Sequence, residues 1–308
     1  MGKKKEKRII PQSERYARFG YWFILPWMIG FTVFTFGPMV FSLYLSLTDF
    51  AGTSLRDASF VGLGNFKRLF TDSETWHSLK VTLKFGMMSL PLGLVAGFLL
   101  AYLLNMKVPL MKMWRTIFYL PAMISGVIVA TLWRGLFDDK YGIINYLLGL
   151  VNINGPQWLL DPKYILYCFL FLSVWGCGGG MVVYLSGLQS IPTALYEAAE
   201  IDGCNKFQQL IFITIPQMTP IFFFNIIMGL IGAFQYFAEP MTLVGANGGQ
   251  AKAALFYNLY LYNHAFRYRN MGYASALAWF LFVIVLVLTL LVFKSSELWV
   301  FYEAEVKK

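Results

Sequence analysis

The sequence predicts an all-α integral membrane protein that crosses the bilayer six times. Of its 308 residues, 58% are hydrophobic and 13% are charged, and the mean hydropathy of +0.58 is too high for a soluble globular chain. A spanning helix needs about 20 apolar residues. Stretches of about that length, none of which contains an acidic residue, lie at 21–47, 81–104, 116–133, 164–188, 211–238 and 272–293.

Lysine and arginine residues indicate the orientation, because cytoplasmic loops are enriched in them. The segments richest in basic residues are the tail before the first stretch and the loop at 105–115, whereas the loops at 48–80, 134–163 and 239–271 are longer and more dilute. An even number of spans returns the C-terminus to the side of the N-terminus. We therefore expect a basic cytoplasmic tail at 1–20, a membrane domain at 21–293 and a cytoplasmic tail at 294–308.

One cytoplasmic segment, at 190–210, is polar where its surroundings are apolar. Pro192 suits the first turn of a helix, and Gly203 can adopt the left-handed conformation that ends one. Asn205, with Gln208 three residues later, is typical of the cap of a following helix. Leu195, Ala198 and Ile201 share one face of the first helix at helical spacing. The segment predicts two short helices that meet at a corner, a shape suited to a partner's groove.

This segment resembles the EAA loop (E-A-A-x3-G-x9-I-x-L-P) of permease subunits of ATP-binding-cassette (ABC) importers. It reads Glu197-Ala198-Ala199, then Gly203, then Ile213-Thr214-Ile215-Pro216, and only the leucine is replaced, by Ile215. The resemblance implies a type I ABC importer permease fold with a cytoplasmic helix-turn-helix. It also implies that the ATPase-coupling residues are Glu197, Ala198, Ala199, Asp202, Gly203 and Pro216.

The resemblance extends over most of residues 20–302 and is to the carbohydrate branch of these permeases, the maltose-type and glycerol-3-phosphate-type proteins. It is carried by Trp133-Arg134-Gly135-Leu136-Phe137, by 184–192 and by Asn270-Met271-Gly272-Tyr273-Ala274, among others. It implies a second homologous permease subunit, two ATPase subunits that bind ATP and Mg, and an extracytoplasmic solute-binding protein that delivers a sugar. It also implies a bacterial cytoplasmic membrane and no cofactor in this chain.

By the same resemblance, the substrate path is lined by the fourth and fifth stretches. Aromatic faces and amides are groups that hold sugars, although packing explains Trp175 and Tyr236 equally well, and close helix approach explains Gly176 to Gly180. Gln235 and Glu239 are expected to share a helical face, because they are four residues apart. The implied path residues are Trp175, Gly176, Gly179, Gly180, Phe234, Gln235, Tyr236 and Glu239.

The sequence lacks the residue patterns that other classes of function require. No cluster of His, Cys or acidic residues indicates a catalytic or metal site, and 245–252 lacks the Gly-Lys-Ser/Thr of a phosphate-binding loop. A secondary carrier would need intramembrane acids, which are absent from the six stretches. Much of the net charge of +9 lies in the first 18 residues, so nucleic acid is not an expected partner. A permease for glycerol phosphate or another small solute remains the alternative.

The orientation predicts an asymmetric labelling pattern. A cysteine introduced by Asn247→Cys should react with a membrane-impermeant maleimide in intact cells, whereas native Cys204 should react only after the cells are permeabilised, because the two residues lie on opposite sides. Labelling of Cys204 in intact cells would overturn the predicted orientation.

Overall fold

The computed structural model describes residues 12–54, 56, 58–106 and 109–301, and of residues 12–19 it gives the backbone alone. Apart from one isolated β-bridge between Thr48 and Phe60, the regular structure of these residues is helical. The α-helices are α1 (Gln12–Phe31), α2 (Gly37–Ser46), α3 (Gly64–Thr71), α4 (Ser73–Leu104), α5 (Met111–Met123), α6 (Gly126–Leu136), α7 (Ile143–Leu150), α8 (Ile165–Trp175), α9 (Gly178–Ser190), α10 (Thr193–Ile201), α11 (Lys206–Gln209), α12 (Ile215–Phe234), α13 (Ala238–Val244), α14 (Tyr257–Tyr262) and α15 (Met271–Ser296).

Four helical segments among the described residues are long and apolar enough to cross a membrane. They are Gly20–Ser46, Ser73–Leu104, Lys206–Phe234 and Met271–Ser296. Two further helix pairs pass the same test but are bent, by 97° between α5 and α6 and by 40° between α8 and α9. With each bent pair counted as one span, the total is the predicted six.

Three of the predicted apolar stretches are interrupted. The third breaks between Met123 and Gly126, because Pro121 lacks a backbone donor and Ser125 is extended. The fourth breaks at Gly176, where a run of glycines has weak helix propensity. The fifth ends at Phe234 rather than continuing to residue 238. Periodicity alone does not reveal such breaks, since apolar residues continue through them.

Two long helical segments contain a π-helical turn that ends two residues before a proline. Thr32–Phe36 precedes Pro38, and Leu210–Thr214 precedes Pro216. A proline inside a helix lacks an N–H and collides with the carbonyl one turn earlier, and the wider turn accommodates that conflict. The span that begins at α11 therefore passes through a local irregularity before it continues as α12.

The buried side chains form two hydrophobic clusters. The smaller one joins α4, α9 and the start of α12 on the side of the molecule where α10 and α11 lie. The larger one lies towards the opposite side and joins α4, α6, α8, α14 and α15. At its centre the rings of Phe85, Phe169, Tyr236 and Phe256 pack together, with centroid distances of 4.7 Å for Phe85–Tyr236 and 5.4 Å for Phe169–Phe256.

A single carboxylate ties three helices together at the end of the molecule opposite α10. Asp72 caps α4 by accepting a hydrogen bond from the backbone N–H of Glu74 at 3.0 Å. Its other carboxyl oxygen accepts hydrogen bonds from the hydroxyls of Tyr260 on α14 and Tyr273 on α15, the latter at 2.8 Å. Burial by itself would raise the pKa of Asp72, but these hydrogen bonds outweigh it and lower the pKa below the ordinary 3.8.

Replacement of Asp72 should therefore destabilise the protein in a pH-dependent way. The carboxylate stabilises the fold fully above its ordinary pKa of 3.8, and this contribution is lost as the pH falls through the lowered pKa of the native state. Asp72→Asn should cost about 1 to 2 kcal/mol at neutral pH, because charged hydrogen bonds are strong but this carboxyl is partly exposed.

Thermal unfolding of the detergent-solubilised protein, followed by tryptophan fluorescence, measures this difference. It should be clear at about pH 7 and shrink at about pH 3. Asp139→Asn is the matched control, because Asp139 makes no side-chain hydrogen bond to the residues that the structure describes. Equal unfolding temperatures of Asp72→Asn and wild type at neutral pH would contradict the role of this carboxylate.

Candidate functional site

The segment at 190–210 folds as the predicted helix-corner-helix. α10 ends at Ile201, and Gly203 has a φ of +80°, in the left-handed region that favours glycine. The N–H of Cys204 bonds to the carbonyl of Ala199 at 2.8 Å, and that of Gly203 to the carbonyl of Glu200 at 3.1 Å. These two bonds form a Schellman motif. The predicted capping box between Asn205 and Gln208 is also present and starts α11.

The corner is presented to its surroundings rather than packed into the chain. Ala199 is the only buried residue of α10, and Glu197, Ala198 and Asp202 are exposed. Ile201 is 87% exposed and Phe207 is 68% exposed. Glu200 pairs with Lys206 across the corner, and this hydrogen-bonded contact lowers the pKa of the Glu200 carboxyl. An exposed apolar surface of this kind is typical of a site that contacts another protein.

A second candidate site lies where the three helix breaks come together. One cavity of about 300 Å³, here called the break cavity, has Ile124, Gly176 and Tyr236 in its wall, one residue from each interruption. A neighbouring cavity of about 360 Å³, the glycine cavity, lies between α4, α9 and α12 and contains Gly93, Gly180, Gly229 and Gly232. Ser173 and Tyr236 line both cavities.

Several of the path residues expected from the sequence line these cavities. Trp175, Gly176, Tyr236 and Glu239 line the break cavity, and Gly180 joins Tyr236 in the wall of the glycine cavity. The indole of Trp175 packs edge-on against Trp133 of α6, with a centroid distance of 5.7 Å. Aromatic contacts therefore set the orientations of both Trp175 and Tyr236, while one side of each borders open space.

Glu239 lies against the first turn of α6. A Cβ built on Gly126 would be 2.5 Å from the Oε1 atom of Glu239, so a glycine is needed there for the carboxylate to occupy this position. Helix N-termini favour negative charge, because their backbone N–H groups lack partners within the helix. The carboxylate thus lies beside the α5–α6 break, in the wall of the break cavity.

Three expected path residues lie elsewhere. Phe234 is 3% exposed and belongs to the larger hydrophobic cluster, and Gly179 faces Ala122 of α5. Gln235 lines a different cavity, of about 450 Å³, with Asn258 and Phe282. The expectation that Gln235 and Glu239 share a helical face was wrong, because α12 ends at Phe234 and α13 begins only at Ala238.

Three polar residues in the wall of the glycine cavity were not predicted from the sequence to line the path. They are Ser89 of α4, Ser173 of α8 and Asn225 of α12. The amide nitrogen of Asn225 donates to the carbonyl of Ile221 at 2.9 Å within its own helix. A polar side chain inside an apolar span is by itself a signal of function. A polar side chain in an apolar span was the reason to predict a role for Gln235, and the same reason holds for Asn225, ten residues earlier.

Comparison with known proteins identifies the family of this chain. Residues 90–297 match the family described as the binding-protein-dependent transport system inner membrane component. The chain belongs to this family. It is therefore a multi-pass inner membrane protein and a permease of an ABC importer, a family in which partner ATPases carry the nucleotide.

The most similar relatives include a probable ABC transporter permease protein, YesP of Bacillus subtilis (strain 168), which is 43% identical over 93% of both chains. The lactose transport system permease protein LacF of Rhizobium radiobacter is 33% identical over 90% of this chain and 94% of its own. A chain in the crystal structure of a bacterial alginate ABC transporter, in complex with alginate pentasaccharide-bound periplasmic protein, superposes with a TM-score of 0.82. That chain is 25% identical, with 94% of this chain and 97% of the other covered.

The placement of the two amides predicts different consequences for their removal. Asn225→Leu should reduce binding-protein-dependent solute uptake by roughly two- to tenfold, the range for one lost hydrogen bond to a solute. Gln235→Leu is the matched control and should leave uptake close to wild type, because Gln235 lines a separate cavity. Uptake kinetics in cells that lack other routes measure both. A larger loss in Gln235→Leu than in Asn225→Leu would contradict this assignment.

Proposed function

We propose that this chain is one of two homologous permease subunits of an importer for a sugar, either a monosaccharide or an oligosaccharide. The solute passes between the permeases, an extracytoplasmic binding protein delivers it, and two ATPase subunits drive the cycle from the cytoplasm. The lactose permease and the alginate transporter among the similar proteins support this substrate class.

The observation that carries the sugar proposal is the chemistry of the two adjoining cavities. Their walls combine aromatic faces with hydroxyl and amide groups, as in Trp175, Tyr236, Ser173 and Asn225. Sugars need both, because their C–H faces pack on aromatic rings and each hydroxyl both donates and accepts hydrogen bonds. A purely lipid-facing surface would not bring these groups together.

A solute bearing phosphate fits the same cavities less well. Phosphate is usually held by arginine or lysine. Among the described residues, neither the break cavity nor the glycine cavity has an arginine or lysine in its wall, and Glu239 adds a negative charge to the break cavity. Glycerol phosphate is therefore the second candidate.

The exposure of the first span supports the proposal that a second permease subunit is a partner. None of residues 20–44 is buried, and Trp22, Phe23 and Phe34 are 72%, 85% and 82% exposed. Lipid alone can cover such a helix. However, α2 packs against α15, whereas α1 makes few contacts with its own chain beyond the adjoining π-helical turn. α1 is therefore also free to pack on a neighbouring subunit, and a path between two permeases needs such a neighbour.

The exposed corner between α10 and α11 supports docking of the ATPase. Glu197 and Asp202 carry negative charge next to the exposed apolar side chain of Ile201, and the Schellman motif holds the corner rigid. A rigid amphipathic helix can lie in a groove of a partner and transmit its displacement. We assign this role to Glu197, Ala198, Ala199, Asp202 and Gly203, with Pro216 at the start of the adjoining span.

Charge reversal on α10 should uncouple or detach the ATPase. Glu197→Lys should leave the permease in the membrane, because the residue is exposed, but should lower both the amount of co-purified ATPase and solute uptake. Gly203→Pro should act similarly by removing the left-handed corner. Glu297→Lys is the matched control, since Glu297 is an exposed acid beyond the end of α15. Wild-type uptake and ATPase recovery in Glu197→Lys would refute the coupling role of α10.

The substrate class is tested by direct uptake. Cells that express the complete importer would be supplied with labelled lactose, a labelled uronate oligosaccharide or labelled glycerol 3-phosphate. The sugar proposal expects uptake of at least one of the carbohydrates, and reduced uptake of the same carbohydrate in Asn225→Leu. Uptake of glycerol 3-phosphate alone would replace it by the second candidate.

A further inference from the structure

The helix α10 is attached to the rest of the chain by few contacts. Ala199 is its only buried residue, and the Glu200–Lys206 pair joins it to α11 at the exposed corner. Beyond this pair, one side-chain hydrogen bond among the described residues connects α10 to the π-helical turn that leads into α12. It joins the hydroxyl of Tyr196 to that of Thr214, at 2.9 Å.

The two partners of this bond are held differently. Thr214 is 2% exposed and closes the π-helical turn that leads into α12, where its hydroxyl also donates to the carbonyl of Gln209 at 3.3 Å. Tyr196 is half-buried, and its ring packs against the smaller hydrophobic cluster. The tyrosine therefore belongs to the docking helix and the threonine to the base of the fifth span.

We propose that the hydrogen bond between Tyr196 and Thr214 is the link that makes α10 and α12 move as one body during the transport cycle. Tyr196 is then a positioning residue, which acts on the solute path only through α12. This inference rests on the proposed coupling function of α10, and it adds the specific contact through which the displacement passes into the membrane.

The course of α12 explains why this contact matters for transport. The helix begins directly after Thr214, carries Asn225 in the wall of the glycine cavity, and ends at Phe234, just before Tyr236. A displacement of its base therefore moves one wall of the glycine cavity. Without the bond, α10 is joined to the α12 side only through the corner at Gly203, the Glu200–Lys206 pair and apolar packing. A displacement of α10 then moves α12 less, and part of the coupling free energy between ATPase and cavity is lost.

The chain contains a matched control for the loss of a tyrosine hydroxyl. Tyr102 and Tyr196 line the same cavity of about 210 Å³ beside the corner, together with Thr214. Both rings pack against the smaller hydrophobic cluster. The hydroxyl of Tyr102, however, makes no hydrogen bond to the residues that the structure describes. Tyr196→Phe and Tyr102→Phe thus each remove a tyrosine hydroxyl beside the same cavity. Only Tyr196→Phe removes the hydrogen bond to Thr214.

The first measurement uses the purified complex with its ATPase and binding-protein subunits. The acceleration of ATP hydrolysis by the binding protein should fall roughly two- to tenfold in Tyr196→Phe, while the ATPase subunits still co-purify. Tyr102→Phe and Thr214→Ser, which keeps the hydroxyl, should behave as wild type. Thr214→Val should reproduce the defect, and the double variant Tyr196→Phe/Thr214→Val should be no worse than Thr214→Val alone, because both substitutions break the same bond.

The second measurement follows the two helices directly. Spin labels at Ala194→Cys on α10 and Phe224→Cys on α12 report the distance between them, with the three native cysteines replaced. Both positions are exposed. On trapping with MgADP and vanadate, the distance should stay narrowly distributed in the parent protein and broaden in Tyr196→Phe but not in Tyr102→Phe.

The outcomes separate this inference from the function on which it rests. If Glu197→Lys detaches the ATPase but Tyr196→Phe retains full stimulation and a narrow distance, α10 couples by another route and the inference is wrong. If Glu197→Lys is without effect, the coupling role of α10 itself fails. Equal defects in Tyr196→Phe and Tyr102→Phe would show loss of packing rather than loss of a link, and would also overturn the inference.

Discussion

Every backbone N–H and C=O group in the hydrocarbon region must be satisfied without water, and the rest of this structure follows from that constraint. It explains why the spans are helices, and it also restricts where helices can break. The three interruptions lie at Ile124, Gly176 and Gln235. Ile124, Gly176 and Tyr236, the residue after Gln235, line one cavity, so irregular backbone borders open space there. Discontinuous spans of this kind are a general way to build a solute site inside a membrane.

Packing around the breaks gives the cavities a defined shape. Phe85, Phe169 and Phe256 surround the ring of Tyr236, and Trp133 orients Trp175, so the aromatic groups that border the cavities are themselves held by other aromatic groups. Because these side chains are already held in place, the entropic cost of ordering them when a solute binds is lower. At one end of the bundle, the carboxylate of Asp72 joins α4, α14 and α15 by hydrogen bonds rather than by apolar contact.

The fifth span connects the two candidate sites. Its base, at Thr214, contacts α10 through Tyr196, its middle contributes Asn225 to the glycine cavity, and its end lies beside Tyr236. A π-helical turn before Pro216 makes the base the least regular part of this span. Irregular turns of this type commonly occur where a helix has a function beyond packing. One continuous element thus runs from the exposed corner to the walls of the cavities.

Local chemistry, read from the sequence, determined the number of spans, the corner at Gly203 and the cap at Asn205, because apolar length, a left-handed glycine and a capping pair act within a few residues. The family resemblance, rather than local chemistry, singled out Trp175, Gly176, Tyr236 and Glu239, which line the break cavity. Only the tertiary structure decided which polar residues face a cavity. Gln235 and Asn225 are both amides in or at the end of an apolar span, and no pattern within the span distinguishes them. The break after Phe234 turns Gln235 towards α14 and α15, and packing of α4, α9 and α12 leaves space beside Asn225. These outcomes depend on contacts between residues far apart in the chain, which one span's sequence does not contain.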